Sequence, residues 1–251
     1  MSSEQLLILL PAFFLLAGLY TSVGHAGASG YLAAMALLAI APEAMRPTAL
    51  TLNILVATFT LYRFARAGYF SWRALWPFLL GSVPLAVLGG SLRLTTGVYY
   101  VLAGVALLLS AIVLGWRAFG RPPGETPTDK ARIPIVPAVG IGAAIGLLSG
   151  LTGTGGGIFL SPIVLLAGWA GPRHTGGITA PFILANSTTA LAAGTATWAS
   201  LPDELPWLAG AALAGAVTGT WLGLSRLSTR WLLVAMALVL VIASGKLFLT
   251  A

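Results

Sequence analysis

Gly24-His25-Ala26-Gly27-Ala28-Ser29-Gly30 and Gly150-Leu151-Thr152-Gly153-Thr154-Gly155-Gly156-Gly157 each interrupt a hydrophobic segment with small, polar, glycine-dense sequence. Aligning Gly24, Gly27 and Gly30 with Gly150, Gly153 and Gly156 sets the two stretches 126 positions apart, close to half of the 251 residues. The pattern is that of an internal duplication. Interrupted helices at matching places in two halves are a sequence-level pointer to a transporter's binding site.

The rest of the chain supports a bilayer setting. Hydrophobic residues make up 58% and charged residues 8%, with a mean hydropathy of +0.95, which leaves too little polar surface to cover a soluble globule. The longer apolar runs reach about 17 to 21 residues, the length a helix needs to cross a hydrocarbon core. They are continuous and do not alternate, which favours helices over a barrel. Glu4 precedes the first run with no basic n-region, so that run reads as a retained helix and not as a signal peptide. The absence of cysteine excludes disulfides, thiol nucleophiles and cysteine-ligated metals. The net charge of +7 comes from basic residues at segment ends, which fits anchoring at a membrane surface and not a nucleic-acid partner.

Hydrophobic segments fall near Gln5–Val23, Ala28–Ala41, Thr48–Tyr62, Ala74–Gly90 and Val98–Trp116. After a polar, proline-bearing stretch they resume near Pro134–Leu148, Gly157–Trp169, Ile178–Trp198, Trp207–Leu224 and Trp231–Leu249. The expected organisation is a first transmembrane repeat over 1–116, a cytoplasmic linker over 117–133 and a second repeat over 134–251. An odd number of segments per half inverts the second half relative to the first. With the N-terminus outside, Arg63, Arg66, Arg73, Arg117, Arg121, Lys130, Arg132, Arg173, Arg226 and Arg230 fall on the cytoplasmic side, while Arg46, Arg93 and Lys246 stay outside. Asp203 and Glu204 also fall outside. The expected fold is therefore an all-α polytopic membrane protein of two inverted-topology repeats, with broken or re-entrant helices at the repeat interface. The second and seventh segments, at roughly 13 or 14 residues, are short for a span and either cross or return as hairpins. Glycines at four-residue spacing, Gly142, Gly146 and Gly150, then Gly215, Gly219 and Gly223, mark close helix contacts within the subunit, with a homodimer interface as the alternative.

The polar residues limit the chemistry. All six acids, Glu4, Glu43, Glu125, Asp129, Asp203 and Glu204, lie near segment ends or in loops. A carboxylate in the bilayer would cost about 2.5 to 3.5 kcal/mol, a cost that cation pumps accept and this chain does not. The glycine amides, with Ser29, Thr152 and Thr154, and the positive ends of helices restarting after each break suit an anion such as a sulfonate, sulfite or carboxylate. Thr48, Thr51 and Asn53, and Thr175, Thr179, Asn186, Ser187, Thr188 and Thr189, bring further hydroxyls and amides. Asn53 and Asn186 are expected counterparts. His25 is the titratable side chain inside a break, suited either to a coupled proton or to a neutral hydrogen bond, and the matching position in the second break is Leu151. Arg46 and Arg173, each beside a proline, either draw anions into a vestibule or bind lipid phosphate. The resulting candidate set is Gly24, His25, Gly27, Ser29, Gly30, Thr51, Asn53, Thr152, Gly153, Thr154, Gly155, Gly156, Asn186, Ser187 and Thr188, with Arg46 and Arg173 at the vestibules. No phosphate loop, nucleophile elbow or zinc-ligand set is present, so no enzyme, cofactor or metal is expected.

The glycine patterns Gly24–Gly30 and Gly150–Gly157, with the Thr-rich, Asn-containing segments that follow, resemble the TauE/SafE sulfite exporter family over nearly the whole chain. That resemblance implies a secondary transporter of small organosulfur anions such as sulfite, sulfoacetate and other sulfonates; the expected setting is a bacterial-type inner membrane, in which the basic-residue pattern puts both termini on the periplasmic side. Many members carry a Gly-x-Gly-Gly-Gly-like run in both halves, whereas the first half here reads Ala26-Gly27-Ala28-Ser29-Gly30. Two other readings stay open: a cation carrier or channel using backbone carbonyls at the breaks, and a non-transporting scaffold.

Overall fold

The computed structural model describes residues 1–92, 94–119, 133–194, 200–224 and 230–251. Their regular elements are helices: α1 (Ser3–Ser22), α2 (Ala28–Leu37), α3 (Pro42–Arg66), α4 (Trp72–Ser91), α5 (Thr96–Phe119), α6 (Ile135–Thr152), α7 (Gly157–Leu166), α8 (Pro172–Ala193), α9 (Leu205–Leu224) and α10 (Arg230–Thr250). Among the described residues, six helices, α1, α3, α4, α5, α6 and α9, are long and apolar enough to cross a membrane, and the chain is an all-α polytopic membrane protein. Most of the expected linker lies outside the described residues, with Arg93, Arg121, Glu125, Asp129, Lys130, Arg132, Arg226 and the end of the eighth segment at Trp198.

The sequence starts the third and eighth segments at Thr48 and Ile178, but both helices begin earlier, at Pro42 and Pro172. Proline is tolerated at the first helical position because that N–H has no intrahelical acceptor in any helix. Glu43 and Arg46 in one helix, and Arg173 and His174 in the other, depress the local hydropathy, so the apolar run begins later than the helix does. At the N-terminus of α1, Ser2 forms a reciprocal cap: Gln5 N donates to Ser2 Oγ at 3.2 Å and Ser2 N donates to Gln5 Oε1 at 2.9 Å.

α2 and α7 have 10 residues each. That is about 15 Å of helix, half the thickness of a hydrocarbon core. α2 folds back along α1. Tyr20 Oη lies 2.7 Å from Ser29 Oγ, the Phe13 and Tyr31 rings are 4.7 Å apart, and Gln5 Nε2 donates to Leu38 O at 3.1 Å. The contacts descend α1 as they advance along α2, which defines an antiparallel pair. At the start of α7, Gly156 faces Ile145 and Ser149 of α6.

The main packing pairs are α1 with α9, α4 with α6, α5 with α10, and α8 with both α3 and α4. Glycine sets the first two. A methyl on Gly142, Gly146 or Gly150 of α6 would collide with the carbonyl oxygen of Phe78, Ser82 or Ala86 on α4. A methyl on Gly215, Gly219 or Gly223 of α9 would collide with those of Phe14, Gly18 or Ser22 on α1. Both glycine faces are therefore occupied within the subunit. Between α4 and α8, the buried rings of Phe78 and Phe182 meet edge to face at 6.5 Å.

Contacts at the helix ends sort the loops into two faces. On one, the Met1 ammonium lies 3.0 Å from Glu204, and Lys246 Nζ donates to Leu37 O at 2.6 Å beside the start of α3. The Glu204 carboxyl is held below its ordinary range by its own backbone N–H and by that ammonium. On the other, Arg173 Nη1 donates to Tyr69 Oη at 3.0 Å, joining the start of α8 to the α3–α4 connection that follows Arg63 and Arg66. The charge pattern groups these residues in the same way.

Candidate functional site

Backbone conformation defines the breaks. Gly24 and Gly27 have φ of +82° and +105°, and Gly153, Gly155 and Gly156 have +83°, +74° and +77°. An L side chain in the left-handed region costs about 1–2 kcal/mol, so glycine lets the chain leave α1 or α6 and restart as α2 or α7 within a few residues. Matched by conformation, Gly24 pairs with Gly153 and Gly27 with Gly156, 129 positions apart. This conformational match is offset by three residues from the 126-position alignment of the glycines. Gly30 and Gly150 belong to helices instead, where they make room for Leu16 and Tyr20 and for Ala86 and Gly90. In the match by conformation, His25 and Thr154 each directly follow the first positive-φ glycine of their break.

The two breaks meet. His25 Nε2 lies 3.1 Å from Gly157 O, the first residue of α7, and 2.9 Å from Ser161 Oγ. Ser161 Oγ is in turn 3.0 Å from Thr179 Oγ1 on α8. A few residues away Asn53 spans the same junction. Its Oδ1 accepts from Ala28 N, the first amide of α2, at 3.2 Å, and its Nδ2 donates to Ser187 Oγ at 3.3 Å. Gly155 packs against this bridge so closely that a methyl there would lie 3.1 Å from Ser187 Oγ and nearer still to Asn53 Nδ2. His25, Asn53 and Ser187 are all buried. One short cluster thus joins the starts of α2 and α7 to the middles of α3 and α8. Its side chains are amide, hydroxyl and imidazole, with no acid among them.

The remaining expected residues divide. Ser29 is held by Tyr20 on the α1 side. Gly24 lies against the backbone of Gly176, near the start of α8. Thr152 and Thr154 bond to each other at 3.1 Å, and Thr152 O accepts from Tyr99 Oη at 3.3 Å. Thr51 Oγ1 is buried without a hydrogen-bond partner. Thr188 is exposed and is not brought to the cluster. Asn186 Nδ2 donates to Phe182 O on its own helix at 2.9 Å, and Ser187, one residue on, is the residue of α8 that Asn53 meets. A step of one residue turns a helical side chain by about 100°, which decides which of the two faces α3. Arg46 binds the end of α4, donating to Gly89 O at 3.1 Å and Gly90 O at 2.8 Å. Its side chain also borders Gly153. Arg173 stacks on Tyr69 at 5.8 Å besides its hydrogen bond.

Ser161, Tyr20 and Tyr99 join the site without having been expected there. The signal for Ser161 is present in the chain: it follows Gly157 by four residues, so it returns to the same face of α7 and looks at the break. Tyr20 and Tyr99 carry no such signal.

Comparison with known proteins identifies a family. The family model described as sulfite exporter TauE/SafE matches residues 9–247. The chain is 41% identical over 236 residues, covering 94% of this chain and 95% of the relative, to the "Probable membrane transporter protein y4hK" of Sinorhizobium fredii (strain NBRC 101917 / NGR234). No solved structure matches.

Proposed function

The chain belongs to the sulfite exporter TauE/SafE family, and from that premise we propose that this multi-pass membrane transporter carries small organosulfur anions, sulfite, sulfoacetate or other sulfonates, by alternating access. The observation that carries the reading is the meeting of the two breaks, with His25 on Gly157 and Asn53 between Ala28 and Ser187. The starts of α2 and α7 bring about half a positive charge each, together with amide donors, to one buried place. Asn53 Nδ2 and the hydroxyls of Ser187 and Ser161 supply side-chain donors. No fixed cation is needed, which permits release as well as capture.

The proposal includes inverted repeats. In support, the packing pairs largely map onto themselves when each helix is exchanged for the one five places along: α4–α6 becomes α9–α1, α4–α8 becomes α9–α3, and α3–α8 and α5–α10 are unchanged. The α1–α2 and α6–α7 pairs are then re-entrant hairpins whose breaks lie inside the membrane, where irregular backbone is tolerated if it lines a polar cavity. The setting is a bacterial-type inner membrane with both termini outside, and the driving force is the pH gradient or membrane potential.

The test combines a thermal-shift screen on purified protein with uptake of labelled anion into proteoliposomes. Stabilisation by sulfite or a sulfonate, and uptake that Asn53→Ala abolishes, are expected. Stabilisation by Na⁺ and by no anion would make the protein a cation carrier. Uptake equal to that of empty vesicles, with no ligand effect, would make it a scaffold.

A further inference from the structure

We propose that the anion seats at the second break, on the start of α7, and that the Ser149 hydroxyl is its side-chain ligand there, the third of three donors that select a pyramidal sulfonate or sulfite over a planar carboxylate. The inference rests on the anion reading above and names the residue that sets its selectivity.

Hydroxyls inside these helices commonly satisfy themselves on the carbonyl one turn back. Thr60 donates to Val56 O at 2.8 Å, Ser110 to Ala106 O at 2.7 Å, Thr152 to Leu148 O at 2.7 Å and Thr220 to Ala216 O at 2.8 Å. Ser149 has the same option at Ile145 O and does not take it: the residue is 0% exposed and its Oγ has no hydrogen-bond partner. A buried hydroxyl in that state is costly and calls for a ligand or an ordered water. Its Cβ borders the N-cap of α7, since a methyl on Gly156 would lie 3.4 Å from it. No side chain caps that helix start. Phe159 N and Leu160 N turn back to Gly156 O at 3.1 and 3.2 Å, whereas the first two amides, Gly157 N and Ile158 N, have no acceptor among the described residues.

The first break differs. Ala28 N, the first amide of α2, donates to Asn53 Oδ1 at 3.2 Å, and Ser29 Oγ is held by Tyr20 Oη at 2.7 Å. The chain's own oxygen thus serves the leading amide at α2, while no group of the chain serves those at α7, and the paired breaks offer one seat instead of two. At that seat the two amides and the Ser149 hydroxyl make three donors, and the helix start adds its positive end. A sulfonate or sulfite presents three oxygens on a pyramid, and a carboxylate presents two in a plane. Without the hydroxyl, two donors remain, which suit the carboxylate as well as they suit the sulfonate. A hydrogen bond to a charged group corresponds to about tenfold or more in affinity, and the preference has that size.

The experiment measures Kd by calorimetry on the purified full-length protein at about pH 7, for methanesulfonate and for acetate, which share a methyl group and one negative charge there. Sulfite and sulfoacetate are run alongside. The wild type is expected to bind methanesulfonate about tenfold or more tightly than acetate, and Ser149→Ala to weaken the sulfur anions by about that factor while leaving acetate within about twofold. Ser110→Ala, which removes a buried hydroxyl already satisfied within α5, is the control and should change neither. Ser149→Ala keeps the Cβ that packs on Gly156, so its unfolding midpoint without ligand should equal or exceed that of the wild type. Sulfur-anion binding by Ser149→Ala within about twofold of the wild type overturns the inference, assigns the hydroxyl an ordered water only, and leaves the anion reading standing. Equal weakening of acetate and the sulfur anions, or a wild type with no preference between them, overturns the selectivity role. If Ser149→Ala does not fold, Ser149→Cys, which keeps the shape with a weaker donor, must weaken methanesulfonate more than acetate for the proposal to stand. Failure of every anion to bind the folded wild type removes the anion reading, and the inference with it.

Discussion

The position that most constrains the site is Gly155, which has a positive φ and faces the Asn53–Ser187 bridge across a gap too small for a methyl. Gly155→Ala combines about 1–2 kcal/mol of backbone strain with displacement of that bridge. It is expected to abolish anion uptake in proteoliposomes. Gly168→Ala, also at positive φ but with open space around it, carries the strain alone and should leave uptake within about twofold once expression is matched. Ser187 and Thr188 make a second contrast. Ser187→Ala leaves Asn53 Nδ2 buried without its acceptor, at a cost of about 1–3 kcal/mol, whereas exposed Thr188→Ala should fall within about 0.5 kcal/mol of wild type. Thermal unfolding in detergent reads both. At this scale the sequence points to glycines and polar residues in the right neighbourhoods but does not rank them. Asn186 and Ser187 look equally suitable as text, and only the azimuth of α8 relative to α3 separates them.

Element boundaries were legible wherever hydropathy and helix formation change together. They were displaced at Pro42 and Pro172, where a helix opens with charged residues before its apolar run. The second and seventh segments announced that they are short, though each helix, at 10 residues, is shorter than its apolar run, and they did not announce direction, which for α2 depends on which residues of α1 it meets. The α4–α6 seam supplies a test that stays within one helix. Gly142→Ala drives a methyl into the Phe78 carbonyl and should lower the midpoint of unfolding by several degrees or prevent folding, while Gly140→Ala meets nothing. Alanine at Gly140 in fact favours the helix by about 0.5–1 kcal/mol, so that variant should be neutral or slightly more stable. Equal losses at the two positions would show that the seam is not set by backbone approach.

For the molecule as a whole, the two faces defined by Met1–Glu204 and Arg173–Tyr69 make orientation testable in a background free of native cysteine. Asp203→Cys should react with a membrane-impermeant maleimide added to intact cells, and Ala67→Cys only after permeabilisation. The reverse result would invert the orientation drawn from the basic residues. Composition and segment length by themselves determined that the chain crosses a bilayer as helices, because those properties are summed along the chain and need no partner. The same holds for the absence of acids from the apolar segments, which is read directly from the order of residues. Tertiary structure alone decided which glycines of the breaks take a positive φ, the return of α2 along α1, and the meeting of His25 with Gly157 and Ser161. These depend on backbone dihedrals and on contacts between residues from 9 to 136 positions apart. A glycine in a helix seam and a glycine at a left-handed turn are the same letter until the neighbouring helix is in place.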